Sequence, residues 1–483
     1  MFEEQAECDN LSQLLSQLNE HLEQFQRFEH ADAMASVESW RSVLSGTVPQ
    51  QGVGATQVIS EMGKHIIPNG SQIAKPGCTS YITSAATDIG SIATLAGITA
   101  SPQRIGLTAF NHLEGLALNW LAEMFDLPSG MQGVFSSGGS TANLIGLGAA
   151  RQWAFEKIGL NPADDGVQRA CKIYATEQSH HTIHRSAAVL GMGRNSVVHI
   201  PVDNMMCLSP SALRKQLEKD KELDAVPVAI VANAGSTNTG SIDPLQEMGE
   251  IAREYNIWFH VDGAYGLPGT LDPQVHDLYK GLALADSVTV DAHKWLGAPV
   301  GVGATFVRNK DMLFKTFNQG VASYLEPTTV ADEHARNSMD SMGFPYHDLG
   351  VELSAATRGA VVWALIREIG VDGMTARICR HNAMARRVAK LVKQHPKLEL
   401  ALEPMLSVCC FRYIDEKVGD LDKLNKQIHR QLMTNGVNIP STTIVNNNFV
   451  IRPCFLGART DWHHADDLVE EVIKIGDSLV KSL

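Results

Sequence analysis

Between residues 110 and 310 short β-rich runs alternate with helical stretches, and this alternation leaves few architectures open. The β-rich runs cover 133–135, 172–176, 196–201, 226–232, 257–261, 287–290 and 305–307, with helical stretches at 141–158, 209–223 and 244–254 between them. Strands that are apolar along nearly their whole length are buried on both faces, and intervening helices supply the cover. The expected fold class is therefore α/β, a mostly parallel sheet covered by helices. In such sheets ligands bind beyond the carboxyl ends of the strands.

The flanks have a different texture. Leu11, Leu14, Leu15, Leu18, Leu22 and Phe25 fall on one stripe of a helix over 9–26, which can pack on another subunit or on its own domain. Residues 1–80 read as a helical N-terminal extension, 81–350 as the large domain and 351–483 as a smaller C-terminal α+β domain. The last contains helices over 353–369, 374–394 and 465–480 and strands over 407–413 and 448–453. Residues 311–350 carry few periodic signals and suggest a long functional loop. No internal repeat is visible.

With 483 residues, 44% hydrophobic and 19% charged, the chain can bury a large core. A net charge of -13 argues against nucleic acid or an anionic membrane as partner. No apolar run approaches the roughly 20 residues of a membrane span. The acidic start Met1-Phe-Glu-Glu lacks the basic and apolar regions of a signal peptide. Eight cysteines without CxxC spacing read as reduced thiols of a cytoplasmic protein.

Chemistry concentrates where the strand runs end. Ser287-Val-Thr-Val-Asp-Ala-His-Lys-Trp-Leu sets Lys294 between a strand end and an apolar pair. Burial disfavours an ammonium, and a lysine able to lose its proton is a nucleophile for aldehydes. The plainer reading is a lysine whose stem packs along Trp295. Ser136-Ser-Gly-Gly-Ser-Thr-Ala-Asn143 joins a strand to a helix start and suits an anion, or simply caps the helix. Asp262 ends the 257–261 run, where it points into the ligand crevice or caps the next turn. His180 and His184 have the spacing of a metal pair, but no HExxH glutamate and no third ligand accompany them. A flat imidazole beside a flat ring is the better use of His180, and no metal is expected.

The order of these features resembles the group II pyridoxal-phosphate decarboxylases, which include aromatic-L-amino-acid, histidine and glutamate decarboxylases. His293-Lys294-Trp295 carries the resemblance most sharply, supported by Val261-Asp262-x-Ala264-Tyr265 and Gly138-Gly139-Ser140. The resemblance implies the PLP-dependent transferase fold (fold type I) and a homodimer whose active site is completed across the interface. It implies pyridoxal 5'-phosphate held by Lys294 as an internal aldimine, with Asp262 on the ring nitrogen, His180 stacked on the ring and Ala264 packed against it. Gly139 and Ser140 would lie on the phosphate side, and Thr237 and His293 near the cofactor. Tyr346 matches the mobile-loop proton donor of amine-forming members, with the loop taken as 326–347, and Tyr81 and Ser84 match the substrate pocket. Asp291 departs from the asparagine of the best-known animal members, so it is expected to act through its backbone or to face elsewhere. The implied reaction is decarboxylation of an L-amino acid to the amine and CO2 through a quinonoid intermediate. Alternatives are an aldehyde synthase, an aminotransferase, a carbon–carbon lyase or a non-catalytic scaffold subunit. No arginine can be placed in the pocket from sequence, which leaves the substrate open.

Overall fold

The computed structural model describes residues 10–30, 32–318 and 343–482. The acidic N-terminal residues, Cys8 and most of the expected 326–347 loop lie outside the described residues. The central sheet has the order β2 (Gln132–Ser136), β8 (Gly303–Val307), β7 (Ser287–Asp291), β6 (Trp258–Asp262), β5 (Val226–Asn233), β3 (Cys171–Thr176) and β4 (Val197–Ile200). β8 runs antiparallel to both neighbours, whereas β7, β6, β5, β3 and β4 are mutually parallel. All seven runs expected from the sequence are strands of this sheet. They are strands because their side chains are buried on both faces. Val228, Ile230, Phe259, Val261, Val288 and Val290 are fully buried, and each such side chain contributes about 1.5–3 kcal/mol on leaving water.

Parallel strands need crossovers, and helices provide them. α1 (Leu11–Gln26), α2 (Val37–Val43), α3 (Ala55–Glu61), α4 (Asp88–Ala100) and α5 (Ala109–Met124) precede the sheet. α6 (Gly139–Glu156), α7 (Thr182–Val189), α8 (Pro210–Asp220), α9 (Leu245–Glu254) and α10 (Lys310–Phe317) connect its strands or follow them. The stripe expected over 9–26 is α1, and none of its residues is buried.

The second sheet has the order β1 (Cys78–Thr79), β11 (Ile439–Val445), β12 (Asn448–Arg452), β10 (Cys410–Tyr413) and β9 (Leu398–Leu402). β1 joins it in parallel, and the other pairs are antiparallel. Asn446 and Asn447 turn the β11–β12 hairpin with φ of 49° and 63°, the left-handed pair of a two-residue hairpin. α11 (Arg358–Gln394), α12 (Leu421–Asn435) and α13 (Trp462–Lys481) cover this sheet, with Phe411, Tyr413, Ile428, Phe455 and Val472 in a core of their own.

The sequence predicts two helices over 353–369 and 374–394, and the structure joins them into α11 with a break at Gly370 (φ 65°, ψ -179°). The first begins later than expected, at Arg358, whose N–H donates to buried Glu114 Oε1 at 2.9 Å. Gly370 lies in a backbone region open essentially to glycine alone, while a Cβ there would meet open space. Gly370→Ala should therefore cost about 1–3 kcal/mol in denaturant unfolding through backbone strain without any steric clash. An unchanged stability would show that the break relaxes freely.

Candidate active site

The carboxyl ends of β5, β6 and β7 lie side by side, with Asn233 opposite Asp262 and Asp262 opposite Thr289. They border a cavity of about 290 Å3. After β7 the chain makes one wide helical turn, Ala292–Leu296, and stops at Gly297 with φ 82°. Ala292, Trp295 and Leu296 are buried, whereas His293 and Lys294 line the cavity. The turn is pinned on three sides. Ser84 Oγ donates to the Lys294 carbonyl at 2.6 Å, the Thr87 N–H donates to the Gly297 carbonyl at 2.9 Å, and Trp295 Nε1 donates to His381 Nδ1 at 2.9 Å. The Trp295 ring also stacks on Tyr265 at 5.2 Å. The lysine is thus presented to the cavity by a turn held on several sides.

Asp262 ends β6 with both oxygens engaged. Oδ2 accepts from Asn143 Nδ2 at 3.0 Å, and Oδ1 accepts from the Ala264 N–H at 3.1 Å and Thr289 Oγ1 at 3.3 Å. Asn143 Oδ1 lies 2.8 Å from His260 Nε2, His260 Nδ1 lies 2.7 Å from Ser287 Oγ, and Ser287 Oγ accepts from Trp258 Nε1 at 2.8 Å. The donor pattern assigns the proton of His260 to Nε2, with the Ser287 hydroxyl donating to Nδ1. Burial pushes the His260 pKa down to about 4 against the pull of Asp262. A neutral histidine and a carboxamide therefore orient a carboxylate at the cavity wall.

Opposite lies the start of α6. Gly138 has φ 128°, and a Cβ there would approach His293 Cε1 to 2.9 Å. A Cβ at Gly139 would meet Asp291 Oδ2 at 2.7 Å. Only glycine lets the backbone approach so closely, and the 18-residue helix directs unpaired N–H groups and its positive dipole end at this spot. Gly139 and Ser140 line the cavity with His180, Thr237, Asp262, Ala264, His293 and Lys294, so one cavity gathers every cofactor position named from the sequence. His180 Nδ1 is 2.9 Å from Thr182 Oγ1, and burial pushes its pKa down. His184 does not face the same point, since its ring stacks on His199 at 5.1 Å.

Asp291 does not face elsewhere: its side chain is 1% exposed, lines the cavity, and sets Oδ2 3.0 Å from Lys294 Nζ. Tyr346 is buried outside the cavity lining, and a Cβ at Gly115 would lie 2.6 Å from its hydroxyl. It packs against α5 in the core. Ser84 is buried and supports Lys294 through the backbone, while Tyr81 is exposed with φ 61°; neither lines this cavity. Sequence reasoning missed Asn143, and it also missed Arg452. The Arg452 side chain is buried at the end of β12, and its Nε and Nη1 lack partners. Its charge is felt by the thiols of Cys410 and Cys454, and Cys454 also feels Lys294.

The sequence model described as "Pyridoxal-dependent decarboxylase conserved domain" matches residues 38–414. The chain belongs to this family. It is a pyridoxal-phosphate-dependent amino-acid decarboxylase, and the residues present fit that cofactor: a lysine for the aldehyde, a fixed carboxylate for the ring nitrogen and a glycine cradle for the phosphate. The chain is 27% identical over 441 residues to an aromatic-L-amino-acid decarboxylase of Bacillus atrophaeus, covering 90% of this chain and 88% of that one. It is 27% identical over 453 residues to the 4-hydroxyphenylacetaldehyde synthase of Rhodiola rosea, with the same coverage of each. Its fold matches the structure of Oryza sativa TDC with PLP and tryptamine at a TM-score of 0.86 and 22% identity, over 99% of this chain and 100% of that one.

The Trp295–His381 bond ties the lysine turn to α11. His381 is fully buried, and burial pushes its pKa down to about 3. A histidine whose folded pKa is depressed stabilises the fold above its unfolded pKa, near 6.5, and that stability is lost as pH falls from there toward 3. Buried Glu114 has the opposite sign: its pKa is raised to about 7, so its protonation stabilises the fold as pH falls from 7 toward 4.5. His381→Asn keeps an acceptor for Trp295 and removes the titration. Between pH 6 and 4 the wild type should lose up to about 1.4 kcal/mol more per pH unit than this variant in denaturant unfolding. Parallel curves would refute the assignment.

Proposed function

We propose that this decarboxylase holds its cofactor between Lys294 and the α6 start, takes L-amino acids by their carboxylate on Arg452, and releases the amine. The observation that carries this reading is Lys294 facing a cavity whose wall holds Asp262, fixed by Asn143 and Thr289. When bound there, pyridoxal phosphate supplies the electron sink that accepts the pair left by departing CO2. The Asp262 carboxylate keeps a proton on the pyridine nitrogen, and its three hydrogen bonds hold it in place without reorganisation. His180 and Ala264, which line the same cavity, would hold the ring. The glycine cradle, Ser140 and the α6 dipole hold the phosphate, with Thr237 and His293 at the rim.

Arg452 lies outside the cavity lining, and it suits a substrate carboxylate because it is a buried guanidinium with unused donors and no ion-pair partner among the described residues. Val300 lines the cavity yet is 78% exposed, and α4, whose first turn packs on Pro299, exposes Ile92, Leu95 and Ile98. A second copy laid on this apolar face would cover the cavity mouth, which supports the homodimer. We divide the chain as an N-terminal extension (1–80), a cofactor domain (81–350) and a small domain (351–483). Among the described residues no helix is long and apolar enough to cross a membrane, and the described cysteines are free thiols; both fit a cytoplasmic enzyme.

A panel of aromatic, acidic and basic L-amino acids, read by CO2 and amine, tests this. Stoichiometric amine supports simple decarboxylation, whereas aldehyde with ammonia and peroxide would support the oxidative alternative. Arg452→Met should raise KM roughly 10- to 100-fold, the loss expected for a charged hydrogen bond, while cofactor absorbance stays unchanged. An unaltered KM would remove Arg452 from substrate binding.

A further inference from the structure

The carboxylate of Asp291 lies against the first turn of α6, the place the proposed function gives to the cofactor's phosphate. Its Oδ2 lies 3.0 Å from Lys294 Nζ and 3.7 Å from His293 Nε2, and its Oδ1 is buried without a hydrogen-bond partner. A Cβ at Gly139 would lie 2.7 Å from Oδ2, and one at Gly303 would lie 2.5 Å from Oδ1. Two glycines thus leave room for this one side chain, directly under the first turn of α6. We propose that Asp291 is a counter-anion built into the phosphate cradle, and that it keeps pyridoxal phosphate exchangeable.

Two effects follow from the geometry, and both act against tight loading. In the empty site the carboxylate compensates the α6 dipole and the Lys294 ammonium, so the cofactor must displace an existing ion pair. In the loaded site a carboxylate and a phosphate share one cradle, and like charges a few ångströms apart in a poorly solvated site repel. The charged or titratable groups facing Asp291 are Lys294 and His293 on its own turn, with Asp262 and His180 across the cavity. Gly139 of α6 and Gly303 of β8 lie directly against it. An asparagine would fill the same volume and could donate its amide to the phosphate. The carboxylate therefore lowers affinity, and occupancy follows the free cofactor concentration. This role of Asp291 rests on the cofactor site described above.

The test measures cofactor binding, not turnover. Cofactor-free wild type and Asp291→Asn are titrated with pyridoxal phosphate and with pyridoxal, the same aldehyde without the phosphate, and release is followed by absorbance. Asp291→Asn should bind pyridoxal phosphate roughly tenfold more tightly or better and release it more slowly, with a much smaller change for pyridoxal. Inorganic phosphate should also bind the cofactor-free variant more tightly than wild type. Asp291→Ser, which removes the charge without adding a donor, should shift in the same direction and serves if the asparagine variant fails to fold. Equal or weaker binding of pyridoxal phosphate by the charge-free variants would overturn the proposal. An equal gain for pyridoxal would also overturn it, because Asp291 would then act through Lys294 alone. If neither wild type nor variant bound pyridoxal phosphate, the cofactor site itself would be wrong and the proposal with it.

Discussion

The in-register parallel pairing of β5, β6 and β7 is the constraint on which the rest of the structure depends. It brings Asn233, Asp262 and Asp291 to one edge, and only there can a lysine three residues beyond β7 meet an aspartate at the end of β6. A slip of one residue in β7 would turn Thr289 and Asp291 into the opposite layer and bring Val288 and Val290 to the site. The fully apolar flanks of these strands make such a slip costly, so core packing and active-site register are specified by the same residues.

The two aspartates of this edge are held in different ways. Asp262 is saturated by Asn143, Thr289 and a backbone N–H, and behind it the chain runs on through His260 and Ser287 to Trp258. A buried polar network of this kind is rigid when every member is satisfied and costly when one is not. Asp291 is only half satisfied, with one oxygen on Lys294 and the other unpaired. One carboxylate is fixed by a full set of partners, and the other keeps an oxygen free at the cavity.

Much of this was legible in the sequence. The seven sheet strands showed themselves because strands buried on both faces are continuously apolar, and the lysine, aspartate and glycine motifs lie at their ends. β9 and β11 did not, because partly exposed strands of a small sheet carry mixed composition; the Asn446-Asn447 turn was the available signal for the β11–β12 hairpin. The direction of Asp291 was also readable. Ser287, Thr289 and Asp291 alternate with valines, so they share one face of β7, and the hydrogen bonds of Ser287 and Thr289 lie on that face. The burial of Tyr346 against α5 was not readable, because a residue near a loop's end can turn into the core as easily as into the cleft. Arg452 was invisible for another reason: its significance is the lack of a partner, which only the folded chain reveals.

The central claim is that Lys294, among all lysines of the chain, carries the cofactor. Borohydride reduction of the cofactor-loaded protein, followed by peptide mass mapping, tests it most directly. One reduced pyridoxyl-phosphate group per chain is expected, on the peptide containing His293-Lys294-Trp295, and none there in Lys294→Ala. A label on a different lysine, or an unlabelled protein that stays colourless in excess cofactor, would contradict it.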